Sequence, residues 1–279
     1  MTSAAARAWL PHGTVYGTLL NFRREFAHWA PNMADVPYKG APKAPVLYVK
    51  TANAFAPNGA AVPVGGEVWA GATLGLVMGA EWADSEQKSA FVGINKGKLA
   101  INSEANDLPG VAALVLLNDL SLPHESYYRP AIRYRNRDRF LVCGPACTAA
   151  ADVVDLRGLK IELRINGALR QTVDLSTLVR DAAALLRDVG EFMTLQAGDV
   201  LMLGTDCLEG GERPLARAGD RVEISAPGFA RLTHSLADER RLPDGEGGGP
   251  YPHPLPEGKG VSLGRSRQLQ MDTPQAGAA

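Results

Sequence analysis

A β-rich α+β chain with few helices is the fold class that three features of the sequence predict. Short runs of branched apolar residues recur along it, as in VLYVK, ATLGLVM, VAALVLL, LKIELRI and RVEIS, and such runs read as buried or half-buried strands. Asn166-Gly167 separates LKIELRI from ALRQTV, which is the strongest short-range hairpin signal. Helical spacing is confined to FRREFAHWA and to a segment from Ser176 to about Phe192.

Composition narrows the class. A chain of 279 residues with 46% hydrophobic and 21% charged residues can build a sizeable globular core. A net charge of -1 gives no reason to expect a nucleic-acid partner. Nowhere is there a run of about 18 apolar residues that would mark a membrane span. Cys143, Cys147 and Cys207 include no C-x-x-C pair and fit neither a disulfide framework nor a zinc site. Together these predict a cytoplasmic protein, with an extension at 1–12, a folded domain at 13–239 and a Pro/Gly-rich tail at 240–279.

Taken in order, Gly13–Asn21 reads as the first strand and FRREFAHWA as about two helical turns. Glu25 and His28 stand three apart and would share a helix face, the usual arrangement of a solvated surface pair. Prolines 31, 37, 42 and 45 make the next stretch a loop. VLYVK then ends in Lys50, which is either solvated or, with Tyr48 on the same side of the strand, reaches into a cleft. ATLGLVM is a strand loosened by glycine, and the polar 81–108 segment, with an Asn-Lys-Gly-Lys turn at 95–98, carries no motif.

VAALVLL next predicts a buried strand, although its two alanines leave a helical segment open. The strand runs into Asn118 and Asp119. A carboxylate at the inner end of a buried strand must be paired, hydrogen-bonded or metal-bound; a plain turn cap is the alternative. In AIRYRNRDRF, Arg133, Arg135, Arg137 and Arg139 would lie on one strand face, as an anion site or a solvated edge. Ser176 starts the helix expected through Phe192, and VLMLGT and RVEIS follow as strands. Between them DCLEGGERP is a glycine-rich loop with Gly204 and Thr205 at its mouth, able to present backbone N–H groups to an anion. Neither a Walker A nor a G-x-G-x-x-G sequence occurs, so nucleotide binding has no support.

In this order LLNFR, PVLYVK, GATLGLVMG, LLNDLS, RINGALRQ, EFMTLQAGDVLMLGT and AGDRVEI resemble the fumarylacetoacetate hydrolase family over Gly13 to Glu239. SLPHESYYRPAIRY and GATLGLVMG are most similar to its bifunctional isomerase/decarboxylase branch, the N-terminal half, which acts in homoprotocatechuate (4-hydroxyphenylacetate) degradation. The resemblance implies a mixed rolled sheet, oligomers built from dimers, and chemistry on 2-oxo or 2-enol acids with Mg2+ or Mn2+ on the substrate oxygens. For that branch it implies loss of CO2 from 5-carboxymethyl-2-oxo-hex-3-ene-1,7-dioate and isomerisation of 2-hydroxyhepta-2,4-diene-1,7-dioate.

The family's metal ligands are a Glu-x-Glu and an Asp. By the resemblance, Asp119 stands at the aspartate, while Gly71 and Thr73 stand at the two glutamates. One carboxylate is a poor cage for a hard cation, so the expectation is a weak or absent metal in this chain's own site and a metal-bearing partner of the same fold. The H-x-x-E pair of many family members reads E-x-x-H here, through Glu25 and His28, either a swapped proton-transfer dyad or a coincidence of alignment. Glu25, His28 and Lys50 are the expected catalytic groups, and Arg135, Gly204 and Thr205 the groups expected to bind substrate. A non-catalytic structural subunit and a stand-alone hydrolase or acylpyruvase are the competing readings, and the last requires the missing glutamates.

Overall fold

The computed structural model describes residues 8–36, 39–79, 108–127 and 130–241. Strand β1 (Val15–Leu19) leads through helix α1 (Arg23–Trp29) to β2 (Val46–Lys50). Four strands follow: β3 (Phe55–Ala56), β4 (Ala61–Val64), β5 (Val68–Trp69) and β6 (Ala72–Met78). Then come β7 (Val111–Asp119), the single turn α2 (Ile132–Arg135), β8 (Leu141–Cys143) and β9 (Thr148–Ala149). The last third holds β10 (Lys160–Ile165), β11 (Ala168–Asp174), helix α3 (Ala182–Gly190), β12 (Val200–Met202), β13 (Leu215–Ala216), β14 (Arg221–Ser225) and β15 (Leu232–Asp238).

Eight strands form a mixed, rolled sheet in the order β2-β1-β12-β6-β7-β8-β3, with β9 also on β7. β1 and β12 run parallel, while β2, β6 and β7 join antiparallel to their neighbours. A second sheet has the order β11-β10-β14-β15-β4, and β13 pairs with β5. The expected β-rich α+β class is therefore the one adopted.

The central strands are apolar along most of their length because both of their faces are covered. Leu74 and Leu76 of β6 and Leu114 and Leu116 of β7 point into the core shared with the second sheet. Val77, Ala113, Val115 and Leu117 point the other way, onto Trp9, Val15 and Met202. Period-two alternation then puts Gly71, Thr73 and Asp119 on this second face and Asn118 on the first. Asn118 ties the sheets together: its Oδ1 accepts from Gly71 N at 2.9 Å and its Nδ2 lies 2.7 Å from His234 Nε2 on β15. Burial holds the His234 ring down at about 4, so the ring is neutral and Nε2 accepts.

The Asn166-Gly167 hairpin forms as expected, with φ of 53° and 80° at its two central residues and the β10–β11 ladder on either side. Two expectations change. The helix expected from Ser176 to Phe192 is a turn at Leu175–Thr177 and, after an extended Leu178, helix α3 at Ala182–Gly190. Aspartates set both starts: Asp174 accepts from Ser176 N, while Asp181 accepts from Ala184 N. The arginine row is not a strand either. Asn136 joins it to the end of β2, receiving Thr51 N at 2.7 Å and donating to Val49 O at 2.9 Å, so the segment turns and the four arginines separate. Arg137 reaches Glu239, Arg139 reaches Ala61 O and Arg135 goes inward. The turn at 95–98 and most of the C-terminal tail lie outside the described residues.

Candidate active site

Asp119 ends β7 at 0% exposure, and the chain surrounds it with cations. Lys50 Nζ, at the end of β2, stands 2.7 Å from Oδ1. Arg135 Nη1 lies 2.6 Å from Oδ2, and the Tyr48 hydroxyl donates to the same oxygen. Tyr48 and Lys50 share a side of β2, as the strand period requires. Gly17, paired across the ladder with Tyr48, makes room for its ring: a Cβ there would lie 2.0 Å from Tyr48 Cζ. The Arg135 guanidinium also stacks 4.5 Å over that ring.

Electrostatics follow from this packing. Burial alone would raise the Asp119 carboxyl, but Lys50, Arg135 and Arg213 outweigh it and hold it at about 2. Burial lowers the Lys50 ammonium to about 8 against the pull of Asp119, so both are ionised at neutral pH. Lys50 donates to the carbonyls of Leu120, Arg135 and Phe140. Those three bonds use all the donors of an ammonium, leaving its contact with Asp119 as charge attraction. It is a fixed positive charge.

Helix α1 and the glycine-rich loop after β12 form the other wall. Glu25 is buried, accepts from Leu20 N at 2.9 Å and faces Arg213 Nη2 at 3.5 Å. Burial raises the Glu25 carboxyl despite the Arg213 and Arg135 charges. His28 is exposed on the same helix and packs on Gly211, where a Cβ would come within 2.2 Å of its ring. The described contacts bring both Glu25 and His28 to the Cys207–Arg213 loop but record no bond between them. Arg24 adds a hydrogen bond to Cys207 O at 3.0 Å. Gly204 adopts φ of 105°, 2.9 Å from Thr18 O measured from an added Cβ, which only glycine accommodates. Thr205 is buried beside Gly71.

Arg213 and His124 are the groups that sequence reasoning missed. The arginine closes DCLEGGERP, a loop read for its backbone N–H groups and not for its side chain. His124 lies in the SLPHES turn that follows Asp119. A pointer was available in both cases: a charged or titratable residue within a few positions of the suspected acid or loop.

A divalent ion does not fit these residues. Asp119 has both oxygens engaged by Lys50, Arg135 and Tyr48, and the positive charges of Lys50 and Arg135 oppose a further cation. A glutamate at position 71 has no space, since its Cβ would lie 2.6 Å from Asp119 O and 2.7 Å from Thr205 Cγ2. Among the described residues no group of three or more His, Cys, Asp or Glu could hold a metal. Also among them, no helix is long and apolar enough to cross a membrane.

Comparison with known proteins agrees with this architecture. The family model for fumarylacetoacetate (FAA) hydrolase, C-terminal, matches residues 14–237. The chain is 35% identical over 237 residues to the 4-hydroxyphenylacetate degradation bifunctional isomerase/decarboxylase of Escherichia coli, covering 82% of this chain and 48% of that one. It thus spans about half the length of this relative and of two other curated isomerase/decarboxylases that it matches. It is also 30% identical over 148 residues to the 2,4-didehydro-3-deoxy-L-rhamnonate hydrolase of a Sphingomonas strain, 51% of this chain and 52% of the relative. Among solved structures, 5-carboxymethyl-2-hydroxymuconate delta-isomerase from Mycobacterium smegmatis superposes with a TM-score of 0.55 at 23% identity, over 83% of this chain and 79% of that one. Maleylpyruvate hydrolase from Sphingobium sp. SYK-6, solved with manganese and pyruvate, gives 0.56 at 19% identity over 82% and 71%. With four-fifths of its length matched to that model and its strand-rich fold shared with those structures, the chain belongs to the fumarylacetoacetate hydrolase family.

Proposed function

We propose that this chain is a subunit of a decarboxylase/isomerase acting on 2-oxo or 2-enol dicarboxylic acids of 4-hydroxyphenylacetate catabolism, together with a metal-bearing subunit of the same fold. The observation that carries the reading is the charge balance at the end of β7. Lys50, Arg135 and Arg213 are buried, and Arg24 joins them, against three acids, Asp119, Glu25 and Asp206, so one positive charge is left over for an anionic ligand. The 35% identity to the isomerase/decarboxylase supports the branch.

Decarboxylation and tautomerisation both push electrons toward the oxygen on C2, and fixed positive charge stabilises that developing enolate. Lys50 and Arg135, locked on Asp119, supply such charge without rearranging. Glu25, whose carboxyl is raised by burial, is the group suited to carry a proton, with His28 on the same helix. Gly204 and Thr205 face the substrate from the loop.

The test is loss of the ultraviolet absorbance of 2-hydroxyhepta-2,4-diene-1,7-dioate, followed with the chain alone and with a Glu-x-Glu-bearing partner and Mg2+. Glu25→Gln in this chain is expected to lower kcat by about a hundredfold or more. His28→Ala is expected to lower it less. If the partner complex turns over equally with either variant, this chain is a structural subunit and the proposal fails.

A further inference from the structure

Around Asp119 and beyond it, several buried nitrogens have no hydrogen-bond partner among the described residues. They are Arg213 Nη1, Arg135 Nε and both ring nitrogens of His124. Arg213 is 5% exposed, and its nearest acid, Glu25, stands off at 3.5 Å, beyond a charge-assisted hydrogen bond. Its guanidinium lies 5.9 Å from the centroid of the Trp69 ring. His124 tilts against that same ring at 5.2 Å and stacks on Tyr134 at 4.9 Å. Trp69 is therefore a wall common to both groups.

Such an arrangement is costly as it stands. An idle buried donor on a charged group is left with its desolvation uncompensated, and arginine cannot escape by losing its proton. Glu25 does not settle the debt, because its own carboxyl is raised by burial in spite of Arg213. The planar fork of a guanidinium matches a carboxylate better than a spherical anion.

We propose that Arg213, with His124 beside it across Trp69, forms a subsite for one carboxylate of a small di- or tricarboxylic acid, and that this subsite works without a divalent ion. The inference rests on the reading of the site as one for organic acids. Burial, then the Arg135 and Arg213 charges, lowers His124 to about 4, so at neutral pH its ring is uncharged and offers one N–H. The Ser126 main chain lies close enough to act on that charge without meeting hydrogen-bond geometry. Arg213 supplies the charge and His124 a directed donor.

The experiment is calorimetric titration of the full chain with 2-oxoglutarate in EDTA, repeated with Mg2+ and with inorganic sulfate. Binding is expected in EDTA, unchanged by Mg2+ and weaker for sulfate. Arg213→Met, which leaves Glu25 free to protonate, is expected to weaken it by about tenfold or more. Arg213→Lys is expected to weaken it less, and His124→Phe, which keeps the ring stack, partially. Thermal unfolding of each variant checks that it is folded, and Arg213→Lys decides if Arg213→Met is not. No heat without Mg2+, no heat at all, equal affinity for sulfate, or a folded Arg213 variant that binds like the wild type overturns the subsite. Dienol turnover separates this from the proposed function. Retained 2-oxoglutarate binding without turnover in the partner complex sinks the enzyme reading alone, whereas turnover with no Arg213-dependent binding sinks the subsite alone.

Discussion

Asp119 is held on three sides, and the consequences at the residue scale are thermodynamic. Removing one partner of a buried ion pair leaves the other unpaired, so Asp119→Ala should lower the unfolding free energy by about 3 to 5 kcal/mol, measured by urea denaturation. Replacing Lys50 with methionine should cost less, because a neutral chain of similar length removes the burdened charge while Arg135 and Tyr48 still engage Asp119. The carboxyl is depressed from its ordinary 3.8 to about 2. Its stabilising contribution is therefore complete above the unfolded value and is lost as pH falls through the folded one. That contribution is about 2 kcal/mol. Stability measured against pH should fall more steeply below the ordinary carboxylate range in the wild type than in Asp119→Asn, and equal slopes would refute the pairing.

At the scale of elements, glycines decide where side chains can go. A methyl on Gly17 would strike the Tyr48 ring at 2.0 Å. Gly17→Ala should cost about 1 to 3 kcal/mol and, by displacing Tyr48, weaken the hold on Asp119; a shallower acid limb in its stability profile would register the second effect. Gly167→Ala, at φ of 80°, should cost about 1 to 2 kcal/mol and leave that limb unchanged. Such elements were legible because their signals are local: the Asn-Gly turn, the branched runs, and Tyr48 and Lys50 on one face of VLYVK. What was not legible depends on contacts distant in sequence. The arginine row reads as a strand by alternation, yet Asn136 bonds Thr51 and Val49 and bends it, which sends Arg135 alone to Asp119. Helix α3 begins late because Asp181, not Ser176, captures a free N–H.

For the whole molecule, the same logic separates ancestry from chemistry. The order of motifs identified the family and its rolled sheet, while Gly71, Thr73 and Asp119 marked a departure at the metal position. Sequence alone left Asp119 as a lone ligand. The fold adds that Lys50 and Arg135 already neutralise it and that the space for a glutamate at 71 is closed by Asp119 O and Thr205. In the mixed complex we propose, Mg2+ dependence should accordingly belong to the partner subunit, and substitutions at its Glu-x-Glu should remove it entirely. The most direct check is titration of Mn2+ into the purified chain, followed by the paramagnetic resonance signal of the free ion. Internal cations on Asp119 predict that the free-ion signal rises from the first addition as it does in buffer. Stoichiometric loss of that signal, restored by Asp119→Asn, would contradict the account.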